Sequence, residues 1–251
     1  MLSVIILAKN EGDNIKECIE SVKWCDDLIV IDDYSEDNTI EIAKKMGVNV
    51  FTHRLNYDFS MQRNFGLSKT KNEWVLFVDA DERVSDALAF EISSVISNWV
   101  NGIRNEYKGF YVKRFDFIWG KELKHGESGI KLLRLAKKKA GNWVGKVHEE
   151  WKVKGQVRML KNSITHYPHQ TVVEFLREIN LYTSVRAEEL HGKNMRVRWW
   201  SIILYPMSKF IVIFFIKRGF LDGIHGFIFA IIMSFHSFLV RGKLWFLRKY
   251  V

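Results

Sequence analysis

The sequence has few of the residues that build disulfide scaffolds or interrupt regular structure. It contains two cysteines and two prolines among 251 residues. Cys18 and Cys25 match no CxxC or zinc-ligand spacing, so we interpret both as reduced core residues of a cytosolic protein. Met1 leads directly into an apolar strand pattern, and we therefore expect no signal peptide. With 47% hydrophobic residues, the chain is too apolar for disorder and is expected to fold.

The net charge of +9 is unevenly distributed along the chain. Residues 1–100 carry 10 Lys/Arg against 18 Asp/Glu, a net charge of −8, whereas residues 101–251 carry 28 against 11, a net charge of +17. The acidic part suits divalent cations, and the basic part suits phosphate-rich partners such as anionic lipid. A solvated basic surface is the alternative. The basic residues form no groove-reading motif, so we expect no nucleic-acid partner.

The first hundred residues alternate short apolar runs with helical patterns, which is typical of βαβ units around a mostly parallel sheet. Continuous apolar runs predict strands at Ser3–Leu7, Leu28–Ile31, Val48–Phe51 and Trp74–Val78. Ser35 is the expected N-cap of the second intervening helix, and Gly47 is its expected end. Residues 101–170 lose this rhythm, which predicts irregular strands and loops that complete a site.

The C-terminal part is helical and strongly apolar by pattern. A helix is predicted over Thr171–His191, and the stretches Trp199–Ile216 and Phe220–Val240 are each long enough to span a bilayer. Polar interruptions such as Asp222 favour an in-plane helical hairpin with its cations at lipid headgroups, rather than spanning helices or a buried helical core. The predicted organisation is a catalytic domain at 1–170 and a helical, membrane-associating region at 171–251.

Polar residues follow three of the predicted strands, where the ligand site of such a sheet lies. They are Lys9, Asn10 and Glu11, then Asp32 and Asp33, and then Asp79 and Asp81. So many carboxylates repel one another unless a cation or hydrogen-bond donors are supplied, and oxygen ligands suit Mg²⁺ or Mn²⁺. Asp79 and Asp81 are two apart in an extended segment, so both can face one ligand set. A solvated acidic turn is the alternative.

Four ordered segments carry a resemblance to a known family. They are Ser3–Glu11, Ile31–Thr39, Gln62–Gly66 and Asp79–Glu82. In this order and spacing they resemble the family 2 glycosyltransferases of the GT-A fold. The resemblance implies an α/β fold with a GT-A (Rossmann-like), mostly parallel sheet flanked by helices, followed here by a C-terminal apolar helical extension. It also implies a nucleotide-sugar donor, with a UDP-sugar expected.

The resemblance implies a role for each matching position. Lys9, Asn10, Glu11 and Asp33 are expected around the base and ribose, Arg63 near the nucleotide, Asp79 on the ribose, and Asp81, with Asp79, at the metal and diphosphate. Asp32 either shares the Asp33 pocket or is a buried carboxylate that caps the next helix. An ordinary solvated helix face is the alternative for Gln62–Asn64.

Transfer of a sugar also needs a base for the acceptor hydroxyl. Val147-His148-Glu149 resembles the catalytic motif of the branch of this family that builds lipopolysaccharide core. This implies Glu149 as the general base and His148 as its neighbour; Glu150 is the alternative base, and a solvated Glu pair is the structural alternative. A base that only activates the acceptor gives one displacement, which inverts the anomeric centre. Gly219–Gly223 also resembles the C-terminal region of lipopolysaccharide core β-1,4-glucosyltransferases.

The sequence therefore predicts an inverting, metal-dependent glycosyltransferase at the inner face of the cytoplasmic membrane. We expect it to move a hexose, with UDP-glucose as the expected donor, onto a lipid-linked or lipopolysaccharide-core acceptor. The alternatives are a polyprenyl-phosphate hexosyltransferase and a non-enzymatic, basic membrane-binding module. A sugar-phosphate nucleotidyltransferase is disfavoured because the N-terminal region lacks a glycine-rich nucleotide loop.

Overall fold

The computed structural model describes residues 1–56, 58–100, 106–145, 149–168 and 171–250. Packing divides the chain into two compact units. The first unit comprises Met1–Arg114 and Ile130–His166, and the second comprises Phe115–Gly129 and Tyr167–Val251. The assignment of catalysis to 1–170 and of membrane association to 171–251 concerns function and stays a prediction.

Four parallel strands, in the order β3-β2-β1-β4, form one half of the main sheet. They are β1 (Leu2–Ala8), β2 (Asp27–Asp32), β3 (Asn49–Thr52) and β4 (Trp74–Asp79). The predicted strands are thus confirmed within about one residue at each end, because β1, β2 and β4 are continuous apolar runs buried on both faces. In the parallel register Leu7 pairs with Asp79 and Ala8 with Asp32, so the acidic strand ends lie at one edge of the sheet.

The other half of the sheet has the order β4-β8-β6-β11-β5, with antiparallel pairing of β4 with β8, of β8 with β6 and of β11 with β5. Its strands are β5 (Glu82–Val84), β6 (Tyr107–Ile118), β8 (Ile130–Lys137) and β11 (Gln156–His166). A short strand, β7 (Lys121–Leu123), pairs with the end of β6, while β9 (Gly141–Val144) and β10 (Glu150–Val153) form a separate two-stranded sheet. The strands predicted over 101–170 are therefore present, but most of them are regular and not irregular. Antiparallel pairing between distant segments made these strands regular.

Helices of the first unit flank the parallel strands. They are α1 (Ile15–Val22), α2 (Thr39–Lys45), α3 (Phe59–Lys69) and α4 (Asp86–Val100). The expected end of α2 is confirmed, because Gly47 adopts a left-handed φ of +79° just beyond it. The expected N-cap is wrong: Asn38 precedes the helix, because the backbone N–H and hydroxyl of Ser35 both donate to the Asp32 carboxylate.

The second unit is helical and contains α5 (Val172–Gly192), α6 (Trp199–Ile211) and α7 (Ile224–Tyr250). A capping box between Thr171 and Glu174 starts α5, as the pattern of residues 171–191 predicted. A π-helical turn (Val212–Ile216) continues α6, and a 3₁₀ turn (Gly219–Asp222) leads into α7. By length and composition alone, the helical stretches Trp199–Ile216 and Ile224–Lys249 are long and apolar enough to cross a membrane. The expected α/β fold with C-terminal apolar helices is confirmed.

Asp222 holds the inserted segment Phe115–Gly129 to the helices of the second unit. Its carboxylate accepts hydrogen bonds from the backbone N–H groups of Lys124 (3.3 Å) and His125 (2.9 Å), and it lies 3.0 Å from Nδ1 of His125. Lys121 Nζ donates to the Asp222 carbonyl at 2.8 Å. Asp222, which interrupts the apolar C-terminal sequence, is therefore a buried residue, 3% exposed, that fixes the inserted segment by hydrogen bonds.

Candidate active site

Asp79 is the last residue of β4, and two buried arginines donate hydrogen bonds to its carboxylate. Arg63, on α3, donates from Nη2 to Asp79 Oδ1 at 3.1 Å, and Arg134, on β8, donates from Nη2 to Oδ2 at 2.5 Å. Burial raises the pKa of Asp79, but the guanidinium groups of Arg134 and Arg63 outweigh it and hold that pKa well below its usual range. Asp79 is therefore a fixed anion at the edge of the sheet.

Glu82 and Arg114 extend this network. Glu82 is fully buried; its Oε1 accepts from Arg134 at 2.9 Å and lies 3.5 Å from Arg114, and its Oε2 accepts from the Asp79 backbone N–H at 2.9 Å. Burial raises the pKa of Glu82 despite Arg134. Burial lowers the pKa of Arg134, but Asp79 and Glu82 outweigh it and raise that pKa above its ordinary value. Arginines thus supply much of the positive charge that these carboxylates need, for which the sequence had suggested a metal ion.

Glu149 reaches the same network from the loop that precedes β10. Its Oε1 accepts from Arg63 Nε at 2.9 Å, and its side chain is 15% exposed. The Arg63 guanidinium also lies over two aromatic rings, with its carbon 4.7 Å from the Trp143 centroid and 5.5 Å from that of Phe77. Arg63 is 4% exposed, so the alternative of a solvated helix face is wrong for this residue. One guanidinium therefore joins Asp79 to Glu149.

Asp81 lies beside His166, the last residue of β11. Asp81 Oδ2 is 3.0 Å from His166 Nε2, and the two side chains are 25% and 14% exposed. The described residues contain no group of three His, Cys, Asp or Glu side chains arranged for a metal. A carboxylate next to an imidazole nevertheless fits a divalent cation that keeps water and takes phosphate oxygens as its other ligands. Because arginines occupy both Asp79 oxygens, Asp81 with His166 fits such an ion better than the expected Asp79–Asp81 pair.

Lys9, Asn10 and Asp33 lie together where β1 and β2 end. Lys9 Nζ donates to the Asp33 carbonyl at 2.6 Å and lies 3.8 Å from its carboxylate, whose Oδ1 accepts from the Leu55 N–H at 2.9 Å. Asn10 has a left-handed φ of 54°; its N–H donates to Ser35 Oγ at 2.8 Å. Lys9 and Asn10 are exposed and the Asp33 side chain is 18% exposed, so solvent reaches this part of the sheet edge.

Asp32 and Glu11 have mainly structural contacts. Asp32 is fully buried, and its two oxygens accept from the N–H and hydroxyl of Ser35 at 2.8 and 2.5 Å. The alternative of a buried carboxylate that caps the next helix is right about burial and wrong about the cap, because Asp32 bonds Ser35 in the turn after β2 while Asn38 precedes α2. The Glu11 backbone N–H donates to Thr39 Oγ1 at 2.7 Å, and its carboxylate accepts from Asn14 at 2.8 Å. The nucleotide-binding roles of both residues stay predictions.

The structure thus brings Arg63, Asp79 and Glu149 into one network. The predicted residue His148 lies outside the described residues. The sequence analysis did not identify Arg134, Arg114 or His166 as site residues. A signal for Arg134 was present, because a single arginine inside the run Leu132-Leu133-Arg134-Leu135-Ala136 must find a buried partner.

Comparison with known proteins identifies the class that this fold and site define. Residues 3–92 match the model of the family described as Glycosyl transferase family 2. An uncharacterised glycosyltransferase of Rickettsia typhi is 29% identical over 255 residues, which cover 97% of this chain and 86% of that protein. The lipopolysaccharide core biosynthesis glycosyltransferase LpsC of Rhizobium meliloti is 24% identical over an alignment that covers 97% of this chain and 92% of LpsC. Residues 3–92 therefore form a domain that matches family 2 glycosyltransferases, and the relatives support an enzyme.

Solved structures give a weaker likeness. The structure of S. aureus TarS residues 1–349 in complex with UDP-GlcNAc aligns over 99% of this chain and 91% of that chain, with 15% identity and a TM-score of 0.48. At this level the likeness carries no argument about donor, metal or acceptor.

Proposed function

We propose that this protein is an inverting, metal-dependent hexosyltransferase that uses a UDP-sugar, with UDP-glucose as the first candidate. The observation that carries the proposal is the Arg63 guanidinium, which holds the Asp79 and Glu149 carboxylates at 3.1 and 2.9 Å. Asp79 is the last residue of β4, at the end of the sheet where nucleotide ligands bind in folds of this kind, and Glu149 lies 70 residues further along the chain. A donor-side carboxylate and a separate carboxylate for the acceptor are what direct displacement requires.

The donor would bind along the carboxyl ends of β1, β2 and β4. Asp33, oriented by Lys9 and the Leu55 N–H, would accept hydrogen bonds from the base, and Asp79 would accept them from the ribose. Asp81 and His166 would hold Mg²⁺ or Mn²⁺. When bound, such an ion neutralises the charge that develops on the leaving diphosphate.

Glu149 is the proposed general base. Its carboxylate is fixed by Arg63 Nε and 15% exposed, so one oxygen is oriented while access from solvent is retained. In the proposed reaction Glu149 removes the proton of the acceptor hydroxyl as the oxygen attacks the anomeric carbon and the carbon–diphosphate bond breaks. Glu149 forms no bond to the sugar, so the configuration inverts.

The proposed acceptor is a lipid-linked or lipopolysaccharide-core saccharide at the inner face of the cytoplasmic membrane. The relative LpsC, named for lipopolysaccharide core biosynthesis, supports this class of acceptor. The two apolar helical stretches of the second unit, with basic residues at their ends, support the membrane location and an anionic membrane surface as partner.

The test is transfer and hydrolysis measured for a panel of UDP- and GDP-sugars with wild type, Asp81→Ala and Glu149→Gln. We expect one donor to be consumed only with a divalent ion. Asp81→Ala should lose productive donor binding, whereas Glu149→Gln should bind donor normally and lose transfer by at least about 100-fold.

Glu150→Gln is the matched control, because Glu150 is the neighbouring carboxylate, is exposed and pairs with Lys152. It should keep nearly full transfer. Loss of transfer in Glu150→Gln but not in Glu149→Gln would move the base to Glu150. Failure of every nucleotide sugar to bind would contradict the proposal, and transfer to polyprenyl phosphate alone would favour the alternative hexosyltransferase.

A further inference from the structure

The exposed surface of the second unit contains two apolar stripes. On α7, Ile224, Phe227, Ile231, Phe235 and Phe238 recur at three- and four-residue spacing and are each 38–63% exposed. Soluble surfaces scatter such residues singly, whereas five on one helical stripe form a continuous apolar face. This stripe is therefore available to a partner.

The second stripe runs along α6 and its π-helical continuation. Leu204, Met207, Ile211 and Phe215 are 48–57% exposed and also recur at helical spacing. The two stripes are linked through Phe210 and Phe214. Their ring centroids lie 5.9 and 5.6 Å from that of Phe227 in the first stripe, and 6.2 and 5.1 Å from that of Phe215 in the second. We call these two stripes, together with the exposed Leu221 of the connecting turn, the apolar hairpin face.

The charges around this face suit an anionic surface. The segment 199–250 contains seven Lys or Arg residues and one acidic residue, Asp222. Asp222 is buried and bonded to His125, so it presents no charge to a partner. Basic residues stand at both ends of the hairpin, with Lys217 and Arg218 at the turn and Arg248 and Lys249 at the end of α7. Glu127 offsets part of this charge, because it pairs with Lys217 at 3.4 Å and with Lys209 at 2.5 Å. Apolar stripes with cations beside them match the interface of a bilayer containing anionic phospholipid.

The contacts of α5 decide how the hairpin meets that bilayer. α5 lies along α7 over much of its length: Phe175 stacks near Phe229, and Lys243 Nζ donates to Asn180 and Thr183. Further along, Ala187 and Leu190 pack with Val240 and Leu244 in one buried cluster. A bilayer crossed by α7 would therefore also contain α5.

The outer surface of α5 is unsuited to hydrocarbon. Exposed charged residues lie among its exposed apolar residues, such as Val173 and Leu181, along the whole helix; they are Glu174, Arg177, Arg186, Glu188 and Glu189. Charged side chains on lipid-facing helix surfaces are strongly disfavoured, and these lie along both halves of the helix. α5 thus belongs in water while the apolar hairpin face belongs in lipid.

We propose that the α6–α7 hairpin lies in the plane of one leaflet of an anionic bilayer, inserting the apolar hairpin face while α5 stays in water on the other side of α7. This deepens the proposed membrane location and does not depend on the identity of the sugar donor. Lys217, Arg218, Arg248 and Lys249 then lie at headgroup level at the two ends of the hairpin.

The first test uses the wild-type full chain with vesicles of phosphatidylcholine, with and without phosphatidylglycerol. We expect flotation with the phosphatidylglycerol vesicles, weaker flotation with phosphatidylcholine alone, and loss of that difference at high salt. Alkaline carbonate should release the protein from isolated membranes. Retention in carbonate would overturn the proposal in favour of spanning helices. A stable dimer that ignores both vesicles would overturn it in favour of a second copy on this face.

The second test compares two double variants with similarly exposed sites. Leu221→Glu with Ile224→Glu changes residues 54% and 63% exposed on the apolar hairpin face, and Val173→Glu with Leu181→Glu changes residues 70% and 61% exposed on α5. The hairpin variant should lose vesicle affinity by at least about tenfold, and the α5 variant by less than about twofold. Equal losses would place α5 in lipid and overturn the proposal.

Circular dichroism checks that both variants fold. If either does not, the carbonate test on the wild-type chain decides between an in-plane and a spanning hairpin. Donor hydrolysis without lipid tests the glycosyltransferase assignment separately. Hydrolysis without vesicle binding would contradict only the docking proposal, and vesicle binding without hydrolysis would contradict only the proposed reaction.

Discussion

The thiol of Cys18, on α1, donates to the backbone carbonyl of Asp79 with Sγ 3.4 Å from the oxygen. A fully buried core residue thus contacts the backbone of the residue at the centre of the charged network. The sequence-based interpretation of Cys18 as a core residue agrees with this burial.

Both cysteines should resist thiol reagents in the folded protein. Burial raises the pKa of Cys18 well above its ordinary value and raises that of Cys25 to about 11. Because the thiolate is the reacting form, we expect modification by DTNB at mildly alkaline pH to be at least about 100-fold slower than for a free thiol. Denaturant should make both react at once. Cys25→Ser isolates Cys18, and rapid modification of that variant without denaturant would contradict the burial of Cys18.

Arg63→Lys should impair transfer more than folding. Lysine keeps the positive charge but cannot bridge Asp79 and Glu149 with two fixed donors. We expect kcat for transfer to fall by about 100-fold, because Glu149 loses its orientation. Arg158→Lys, at an exposed arginine of the same unit, should change kcat by less than about twofold. Equal kcat values for wild type and Arg63→Lys would contradict the bridging role.

The contribution of Asp79 to stability should depend on pH. Because its pKa is lower in the folded state than in the unfolded chain, its stabilising effect is present above the unfolded value of about 4 and is lost as pH falls below it. We expect the free energy of unfolding near pH 7 to be about 3–5 kcal/mol larger for wild type than for Asp79→Asn. The variant leaves buried arginines without their ionic partner, and that is the usual cost of breaking a buried ion pair. Urea unfolding should show this difference shrinking below about pH 4.

Glu82 provides the control, since burial raises its pKa and its linkage has the opposite sign. Relative to Glu82→Gln, wild type should gain stability as pH falls. A pH-independent difference between wild type and Asp79→Asn would contradict the ionised, arginine-held state of Asp79.

His166→Gln should weaken divalent-ion binding. If Asp81 and His166 hold the ion together, loss of the imidazole should raise the Mn²⁺ dissociation constant, measured by calorimetry with UDP present, by at least about tenfold. His191→Gln, at a histidine of α5, is the control and should leave the constant unchanged. An unaltered constant in His166→Gln would limit His166 to a structural contact.

The parallel strands could be predicted because burial on both faces leaves a local signature of continuous apolar residues, and the polar strand ends at Asp33 and Asp79 followed from them. The arginine network could not be derived in the same way. Arg134 reaches Asp79 only because β8 pairs antiparallel with β4, a contact between segments 55 residues apart. Pairing between segments so far apart leaves no periodic pattern in the sequence, so the arginine countercharge beside Asp79 could not be predicted.

The second unit includes residues 115–129 from the middle of the chain, and Asp222, much nearer the C-terminus, accepts hydrogen bonds from their backbone. A chain truncated after residue 166 would therefore keep residues 115–129 but lose Asp222, the acceptor of their backbone hydrogen bonds. For the same reason a single crossover between related genes could not exchange one intact unit for another. Grafting the helical unit onto a different first unit requires the exchange of two segments, residues 115–129 and 167–251, one on each side of β8.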